Sequence, residues 1–230
     1  MLKLTPILLL IGYGLVMFWF SSWRTRKELD QRSSPLADAR LKTLTDRFAD
    51  AIGVQKVLVH IYEVEPVNGL AAPDGRIFIT RGFYNKYRQG EVSAEEMATV
   101  IAHELGHVAL GHTRKRMIDF SGTNAIRMAL ATIFNRFVPG LGVIVANFIT
   151  TLLMARLSRD DEYEADAYAS ALLVKAGIGT APQKSLFRKL DRLVGMGGGA
   201  PAWMMSHPKT EDRIRAIEEN EARWQIAPGP

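Results

Sequence analysis

A short motif near the middle of the chain restricts what the sequence can fold into. His103, Glu104 and His107 form the pattern His-Glu-x-x-His, and on an α-helix positions i and i+4 project from the same face. Ser93, with Glu96 three residues later, predicts a capping box at the start of that helix. Two imidazoles so placed can bind one zinc ion, with the glutamate beside the open coordination position. The motif therefore predicts a metal-binding helix that needs a third ligand from elsewhere in the chain.

The composition is that of a folded domain and excludes several kinds of site and partner. The 230 residues are 47% hydrophobic and 23% charged, which is typical of a folded chain of one domain with attachments. The sequence contains no cysteine, which excludes disulfides, thiolate zinc sites and a cysteine nucleophile. The net charge of +5 is modest, and no basic stripe is interleaved with aromatic residues. We therefore expect no nucleic-acid partner.

The N-terminal segment at residues 4–23 has no charged side chain and is long enough to cross a bilayer as a helix. We predict a membrane anchor at 1–23, a juxtamembrane linker at 24–35 that includes Ser33-Ser34-Pro35, and one folded domain at 36–230. The alternatives are a cleaved signal peptide, for which no small-x-small cleavage site is present, and a buried soluble helix. More basic residues follow the segment than precede it, which favours a cytoplasmic domain. These residues are Lys3 before it and Arg24, Arg26, Lys27 and Arg32 after it.

The region before the motif predicts a helix, a small antiparallel sheet and a short helix around Phe83 to Arg88 that ends at Gly90. Apolar residues recur at helical spacing before a stop at Gly53, namely Leu41, Leu44, Phe48 and Ile52. Segments 57–62 and 76–80 predict strands, because apolar and polar residues alternate there, and turn signals occupy residues 68–75 between them. His60, in the first of these strands, is expected to be a sheet or core histidine and not a metal ligand.

The segment 125–157 is unusually apolar and is interrupted by Pro139-Gly140-Leu141-Gly142. This pattern predicts two helices joined by a turn, each shorter than the roughly 20 residues needed to span a bilayer. Three interpretations stay open. The segment could be a helical hairpin in the core, a membrane-dipping amphipathic hairpin, or a lid over the active cleft.

An acidic run follows at residues 158–166. Glu162 and Asp166 are i, i+4 neighbours on one helical face, whereas Glu164 lies about 200° around the helix from Glu162. A carboxylate from a second helix can complete a His₂Glu zinc site that keeps water in the fourth position. Asp166 would then accept a hydrogen bond from a ligand histidine and fix its tautomer. The alternative is an acidic helix N-terminus favoured by the helix dipole.

His112 is a further histidine close to the motif. The metzincin pattern requires glycine and histidine seven and ten residues after the first histidine, but Leu110 and Thr113 occupy those positions. On a continuing helix, His112 would lie about 140° off the face of His107. We therefore expect a surface or supporting role for His112 and not ligation.

Three motifs occur together in a characteristic order. They are His-Glu-Leu-Gly-His at 103–107, Ser-Arg-x-x-Glu-x-x-Ala-Asp at 158–166 and His-Pro-x-x-x-x-Arg-Ile at 207–214. In combination they resemble the HtpX and CAAX-prenyl-protease family of membrane-associated gluzincin metallopeptidases. Residues 68–71 and 75–82 resemble the strand pair that precedes the zinc helix of that family. The resemblance is to the compact type with a single anchor.

The resemblance implies a fold and a metal site. The expected fold class is α+β, with a mainly helical zincin-like metallopeptidase domain, a small antiparallel sheet and an N-terminal transmembrane helix. His103, His107 and Glu162 would bind one Zn²⁺ per chain. Glu104 would act as general base and later as general acid. Asp166 would orient a ligand histidine.

Other roles are implied for the C-terminal element and for the strand before the motif. His207 would stabilise the oxyanion or occupy the open coordination site in a resting form, with Arg213 supporting it. An edge strand would pair with an extended substrate, and its residues would be Asn68, Gly69, Leu70 and Ala71.

We therefore predict a membrane-anchored zinc metalloendopeptidase that hydrolyses peptide bonds in the quality control of misfolded or membrane and envelope proteins. The expected partners are an unfolded or extended polypeptide and the lipid bilayer. The expected location is a bacterial inner membrane, crossed once, with the domain on the cytoplasmic side. The alternative is a membrane-anchored chaperone or binding module with a non-catalytic metal site. Glu104 distinguishes the two, because a purely structural site has no need of it.

Overall fold

The structure is a computed structural model, and it describes residues 12, 16, 19–20, 23–72, 74–112, 131, 134–135, 142–195 and 210–224. Within these ranges, a small sheet and several helices surround a shared core. The strands are β1 (Ser33–Pro35), β2 (Val59–Tyr62), β3 (Gly69–Ala71) and β4 (Ile77–Thr80). The helices are α1 (Ala39–Ile52), α2 (Arg81–Arg88), α3 (Ala94–Ala109), α4 (Gly142–Lys175), α5 (Ala181–Gly195) and α6 (Thr210–Trp224).

Helix α1 forms where the apolar spacing predicts it. The Asp38 side chain caps its start by accepting hydrogen bonds from the backbone N–H groups of Arg40 and Leu41, at 3.1 and 3.0 Å. Gly53 ends the helix in the left-handed conformation, with φ of 74°, which glycine adopts without steric cost. The apolar face is buried in the core through Leu41, Leu44 and Phe48.

The sheet is mixed, so the prediction of an antiparallel sheet is wrong for its central pair. The order of the described strands is β1-β2-β4-β3. The outer pairs are antiparallel, whereas β2 and β4 are parallel. The chain reverses direction twice between β2 and β4, which brings β4 back parallel to β2 and leaves β3 at the edge. All four residues of β4 are buried, and an apolar strand of this kind stabilises the sheet most from a central position.

The residues assigned to the linker have regular structure. Residues 23–31 are helical, and Ser33–Pro35 pairs with β2 as strand β1, so the interpretation of Ser33–Pro35 as a linker is wrong. The helix formed by residues 23–31 packs on the sheet face opposite the main core, where Leu29 is buried against Phe78 and Ala72. These contacts join the predicted juxtamembrane region to the folded domain.

The predicted anchor falls almost entirely on residues that the structure does not describe. Among the helices within the described ranges, none is both long enough and apolar enough to cross a membrane. The prediction for residues 1–23 therefore stays a prediction.

Helix α3 lies at the centre of the fold, where it packs against β3, β4, α1, α4 and α5. The predicted capping box is confirmed. The backbone N–H of Glu96 donates to Ser93 Oγ at 3.1 Å, and that of Ser93 donates to Glu96 Oε2 at 2.8 Å. Lys189 and Ser185 of α5 also donate to the Glu96 carboxylate, at 2.8 and 2.6 Å. The start of α3 is thereby fixed to α5.

Helix α4 is continuous from Gly142 to Lys175. The acidic run and the second half of the predicted hairpin therefore belong to one helix. Glu162 lies in the interior of that helix, so the alternative of an acidic helix N-terminus is wrong. The turn and first half of the hairpin fall almost wholly outside the described residues, and the three interpretations of 125–157 stay open.

Candidate metal centre

Two helices bring the three predicted ligands together. His103 and His107 lie one turn apart on α3, and their Nε2 atoms are 3.1 Å apart. Glu162 of α4 reaches both rings, with Oε2 at 3.2 Å from His103 Nε2 and Oε1 at 3.3 Å from His107 Nε2. The exposed fractions of these residues are 2%, 3% and 0% for His103, His107 and Glu162. The donor atoms converge on one buried point, within 4.8 Å of one another.

A glycine in the motif allows the two helices to approach closely. A β-carbon at Gly106 would lie 3.0 Å from the carbonyl oxygen of Ala165 and 3.1 Å from its Cα. These contacts are with backbone atoms, so a larger residue would push α4 away from α3. Since Glu162 and Asp166 are on α4, the small residue between the two histidines helps to set the distance across the metal centre.

The residues present fit a zinc ion. Two imidazoles and one carboxylate form a His₂Glu set that is common in catalytic zinc sites. A fully buried carboxylate requires a compensating positive charge. Burial alone would lower the pKa of His103, but hydrogen bonds to Asp166 and Glu162 raise this pKa to about 9. The carboxylates around His103 thus favour a positive charge beside them. A divalent cation bound by His103, His107 and Glu162 supplies that charge while both imidazoles stay neutral.

Asp166 lies beside the outer nitrogen of His103, as predicted. Its Oδ1 is 2.9 Å from His103 Nδ1. Arg213 of α6 donates to both carboxylate oxygens, from Nε to Oδ2 and from Nη2 to Oδ1, each at 2.6 Å. Burial alone would raise the pKa of Asp166, but Arg213 and His103 hold it at about 2. The ionised carboxylate can therefore accept a hydrogen bond from the Nδ1–H of His103, which leaves Nε2 of His103 free of a proton for a metal.

The structure places Arg213 of α6 against Asp166. Its side chain is 2% exposed, pairs with Asp166, and has Nη2 at 3.4 Å from His103 Nδ1. Arg213 thus contacts the ligand support directly. His207, which it was expected to support, lies outside the described residues.

Glu104 lies beside the edge strand β3. Its side chain is buried, with 4% of the residue exposed. A β-carbon at Gly69 would lie 3.3 Å from Glu104 Oε1 and 2.7 Å from Val100 Cγ1. The close approach of the strand to α3 therefore requires glycine at this position. Asn68 precedes the strand, and its backbone N–H donates to Thr80 Oγ1 at 3.0 Å.

His112 is buried next to the metal centre, which corrects the surface alternative. Helix α3 ends at Ala109, and Gly111 has φ of 74°, so the chain turns and brings His112 back. Its Nδ1 lies 3.1 Å from Nδ1 of His107. The helical-wheel prediction assumed that the helix continued, and it therefore missed this contact. A glycine stop directly before a histidine was the signal that could have revealed it.

The other histidine of uncertain role lies away from the metal centre. His60 stacks on Phe78, with ring centroids 5.3 Å apart, and is not a member of the ligand cluster found among the described residues. The prediction of a sheet histidine is therefore confirmed.

Comparison with known proteins agrees with this geometry. The family model described as peptidase family M48 matches residues 35–221. The chain belongs to peptidase family M48. Metalloprotease LoiP of Escherichia coli strain K12 is 33% identical over 181 residues, which cover 78% of this chain and 69% of LoiP. Metalloprotease YcaL of the same strain is 28% identical over 181 residues, which cover 78% of this chain and 68% of YcaL.

A third relative extends the similarity. Protease HtpX of Stutzerimonas stutzeri strain A1501 is 25% identical over 235 aligned residues, which cover 87% of this chain and 79% of HtpX. Membership of family M48 and the His₂Glu cluster together identify the chain as a zinc metallopeptidase, a hydrolase of peptide bonds. The predicted resemblance, the enzyme class and the zinc cofactor are confirmed.

Proposed function

We propose that this M48 peptidase is a membrane-anchored zinc metalloendopeptidase that cleaves extended segments of unfolded or misfolded polypeptides, in the quality control of membrane and envelope proteins. One observation carries the proposal. His103, His107 and Glu162 converge on a single buried point, and Glu104 lies beside an edge strand at the same place.

The proposed chemistry assigns a task to each group. Zinc held by the His₂Glu set would polarise the scissile carbonyl and lower the pKa of water to about 7. Glu104 follows His103 directly on α3 and would accept a proton from the attacking water, then deliver it to the leaving nitrogen. Burial of Glu104 lowers the local dielectric constant, which strengthens its electrostatic interaction with the reacting groups. His207 would donate a hydrogen bond to the developing oxyanion.

The edge strand provides a surface for substrate binding. Strand β3 pairs with β4 on one side, and in the described sheet it is the last strand in the order. We propose that the backbone of β3 pairs with an extended substrate segment, while Asn68 fixes the start of the strand through its backbone hydrogen bonds to Thr80. The close approach of Gly69 to Glu104 would then hold the scissile bond next to the general base. Recognition through backbone hydrogen bonds suits substrates of varied sequence, as expected for unfolded chains.

The proposed membrane anchor is supported by the sequence and by its exposed aromatic residues. Residues 4–23 carry no charge, and Trp19, Phe20 and Trp23 are 71%, 54% and 56% exposed. Aromatic rings of this kind are enriched at the bilayer interface. The proposed organisation is an anchor at 1–23 and a peptidase domain at 36–230, to whose sheet the intervening residues 24–35 contribute strand β1. A compartment-sensitive reporter fused after Pro230 should give a cytoplasmic signal, and a signal only outside the cytoplasm would reverse the proposed orientation.

The catalytic proposal is tested by Glu104→Gln. The amide preserves the shape of the side chain but cannot accept the proton of water, so the variant should retain about one zinc per chain and lose casein cleavage by at least about 10²-fold. Zinc content by atomic absorption and casein cleavage are measured on the same preparations. Undiminished cleavage by the variant would remove Glu104 as the base. Zinc binding without casein cleavage by the wild type would favour the alternative of a binding module.

A further inference from the structure

The outer nitrogen of His107 has a partner that the peptidase mechanism does not use. A histidine that binds a metal through one ring nitrogen depends on a hydrogen bond at the other nitrogen to fix its tautomer and orientation. His107 directs Nε2 towards Glu162 Oε1 at 3.3 Å. Its Nδ1 points away from the ligand cluster and lies 3.1 Å from Nδ1 of His112.

His112 is itself held from its far side. Its Nε2 lies 3.1 Å from Glu164 Oε2 and 3.8 Å from Asp161 Oδ1. The imidazole of His112 is buried, whereas the side chain of Glu164 is 64% exposed. The rings of His107 and His112 meet edge to face, with centroids 5.3 Å apart and an interplanar angle of 64°. The three side chains therefore form a continuous hydrogen-bonded series from a metal ligand to the protein surface.

The chemistry of these groups determines the direction of the series. An ionised carboxylate only accepts hydrogen bonds, so the nitrogen of His112 that faces Glu164 carries the proton. In the tautomer of His112 that carries its single proton on Nε2, Nδ1 has no hydrogen and can only accept. His107 must therefore donate from Nδ1, and its Nε2 lone pair remains available towards Glu162 and His103. The opposite direction would protonate Nε2 of His107 and prevent it from binding a metal.

We propose that His112 is a positioning residue which, supported by Glu164, fixes His107 in the tautomer and orientation required for zinc binding. The proposal rests on the assignment of His107 as a zinc ligand. A merely structural His112 would instead fill the space after Gly111, and any side chain of similar bulk would serve. The two roles differ in whether an acceptor atom is required at the position of Nδ1.

Two substitutions of His112 distinguish a role as hydrogen-bond acceptor from a role that only fills space. His112→Phe keeps a ring but has no acceptor, whereas His112→Asn places an amide oxygen near the position of Nδ1. The dissociation constant for zinc is measured by competition with a chromophoric chelator, so the readout does not depend on peptidase activity. We expect His112→Phe to weaken zinc binding about 10–100-fold and His112→Asn to recover most of that loss. His60→Phe, which removes a histidine remote from the metal centre, should leave zinc affinity unchanged.

The tautomers can also be read directly in the wild type. Long-range ¹H–¹⁵N correlation spectra of ¹⁵N-histidine-labelled, zinc-loaded protein should show the proton of His107 on Nδ1 and that of His112 on Nε2. Equal zinc affinity of the Phe and Asn variants, or the opposite tautomer of His112, would overturn the proposal. If these results are as expected but casein is not cleaved, the proposed function fails and the positioning role stands. If the wild type cleaves casein but Asn fails to recover zinc affinity, only the positioning role fails.

Discussion

The two histidines of the metal centre are supported by different kinds of partner. We call Asp166 with Arg213 the inner support, and His112 with Glu164 the outer support. The inner support contacts His103 Nδ1 through a carboxylate that is 1% exposed, and this carboxylate binds an equally buried guanidinium. The outer support contacts His107 Nδ1 through the imidazole of His112. Its charged group, Glu164, is 64% exposed.

The difference determines what each support can affect. Two buried charges are costly to separate, because removal of one leaves the other without compensation in a medium of low dielectric constant. The inner support also joins α4 to α6, so it is part of both the fold and the site. The charged carboxylate of the outer support, Glu164, is exposed to solvent, and solvent screening makes ion pairs with exposed carboxylates weak. We therefore expect the inner support to control stability and zinc affinity together, and the outer support to control zinc affinity alone.

The largest effect is expected from Arg213→Met, which tests whether the inner support is part of the fold. Methionine fills much of the space but leaves Asp166 buried without its cation, so the free energy of unfolding should fall by about 3–5 kcal/mol. Urea unfolding is measured with zinc removed by chelation, so that loss of the metal does not contribute. Arg215→Met is the matched control, because Arg215 is on the same helix but 69% exposed, and it should unfold near the wild-type midpoint. Equal midpoints for the two variants would contradict the distinction.

The next effect concerns the inner support as an orienting group. In Asp166→Asn the amide keeps the shape but removes the charge that binds Arg213 and favours the Nδ1–H tautomer of His103. Zinc affinity should fall about 10–100-fold, and unfolding should also become easier in the absence of zinc. The paired measurement is chelator competition with urea unfolding. A loss of zinc affinity without any loss of stability would make the inner support resemble the outer one.

Glu96, a carboxylate outside the metal centre, predicts how the stability of the fold depends on pH. Burial alone would raise the pKa of Glu96, but hydrogen bonds from Lys189, Ser185 and the backbone of Ser93 lower it below its ordinary value of 4.5. A lowered pKa in the folded state means that Glu96 stabilises the fold above pH 4.5, and that this contribution is lost as the pH falls through the lowered value. Unfolding midpoints of metal-free wild type should therefore decrease more steeply with acid than those of Glu96→Gln. Parallel curves would show that Glu96 contributes no such dependence.

The smallest effect is expected from Glu164→Ala. Water can replace an exposed carboxylate as the acceptor for His112, so zinc content should remain about one per chain and affinity should change by less than about threefold. Glu162→Ala, two residues earlier on the same helix, should lose most of the zinc because it removes a ligand. Metal content after dialysis compares the two variants directly. A loss of zinc in Glu164→Ala as large as in Glu162→Ala would mean that the outer support depends on its charge.

The helical elements of the site could be predicted because their signals are local. The i, i+4 spacing of His103 and His107 and the Ser93 capping box act within one or two turns of a helix. The same is true of the shared face of Glu162 and Asp166. Such patterns depend on helical geometry alone and do not require knowledge of the neighbouring elements. The ligand set could therefore be proposed before any contact between α3 and α4 was known.

The tertiary structure decided the features that depend on contacts between distant parts of the chain. The apolar run of β4 suggests a buried strand, but its place between β2 and β3 depends on pairing between strands, which no local pattern expresses. Arg213 reaches Asp166 across 47 positions of sequence, so its partner could not be found from spacing. The contact of His112 with His107 could not be found from helical spacing, because one left-handed glycine redirects the chain after α3. Local periodicity thus determined which residues could bind a metal, and long-range packing decided how their outer nitrogens are held.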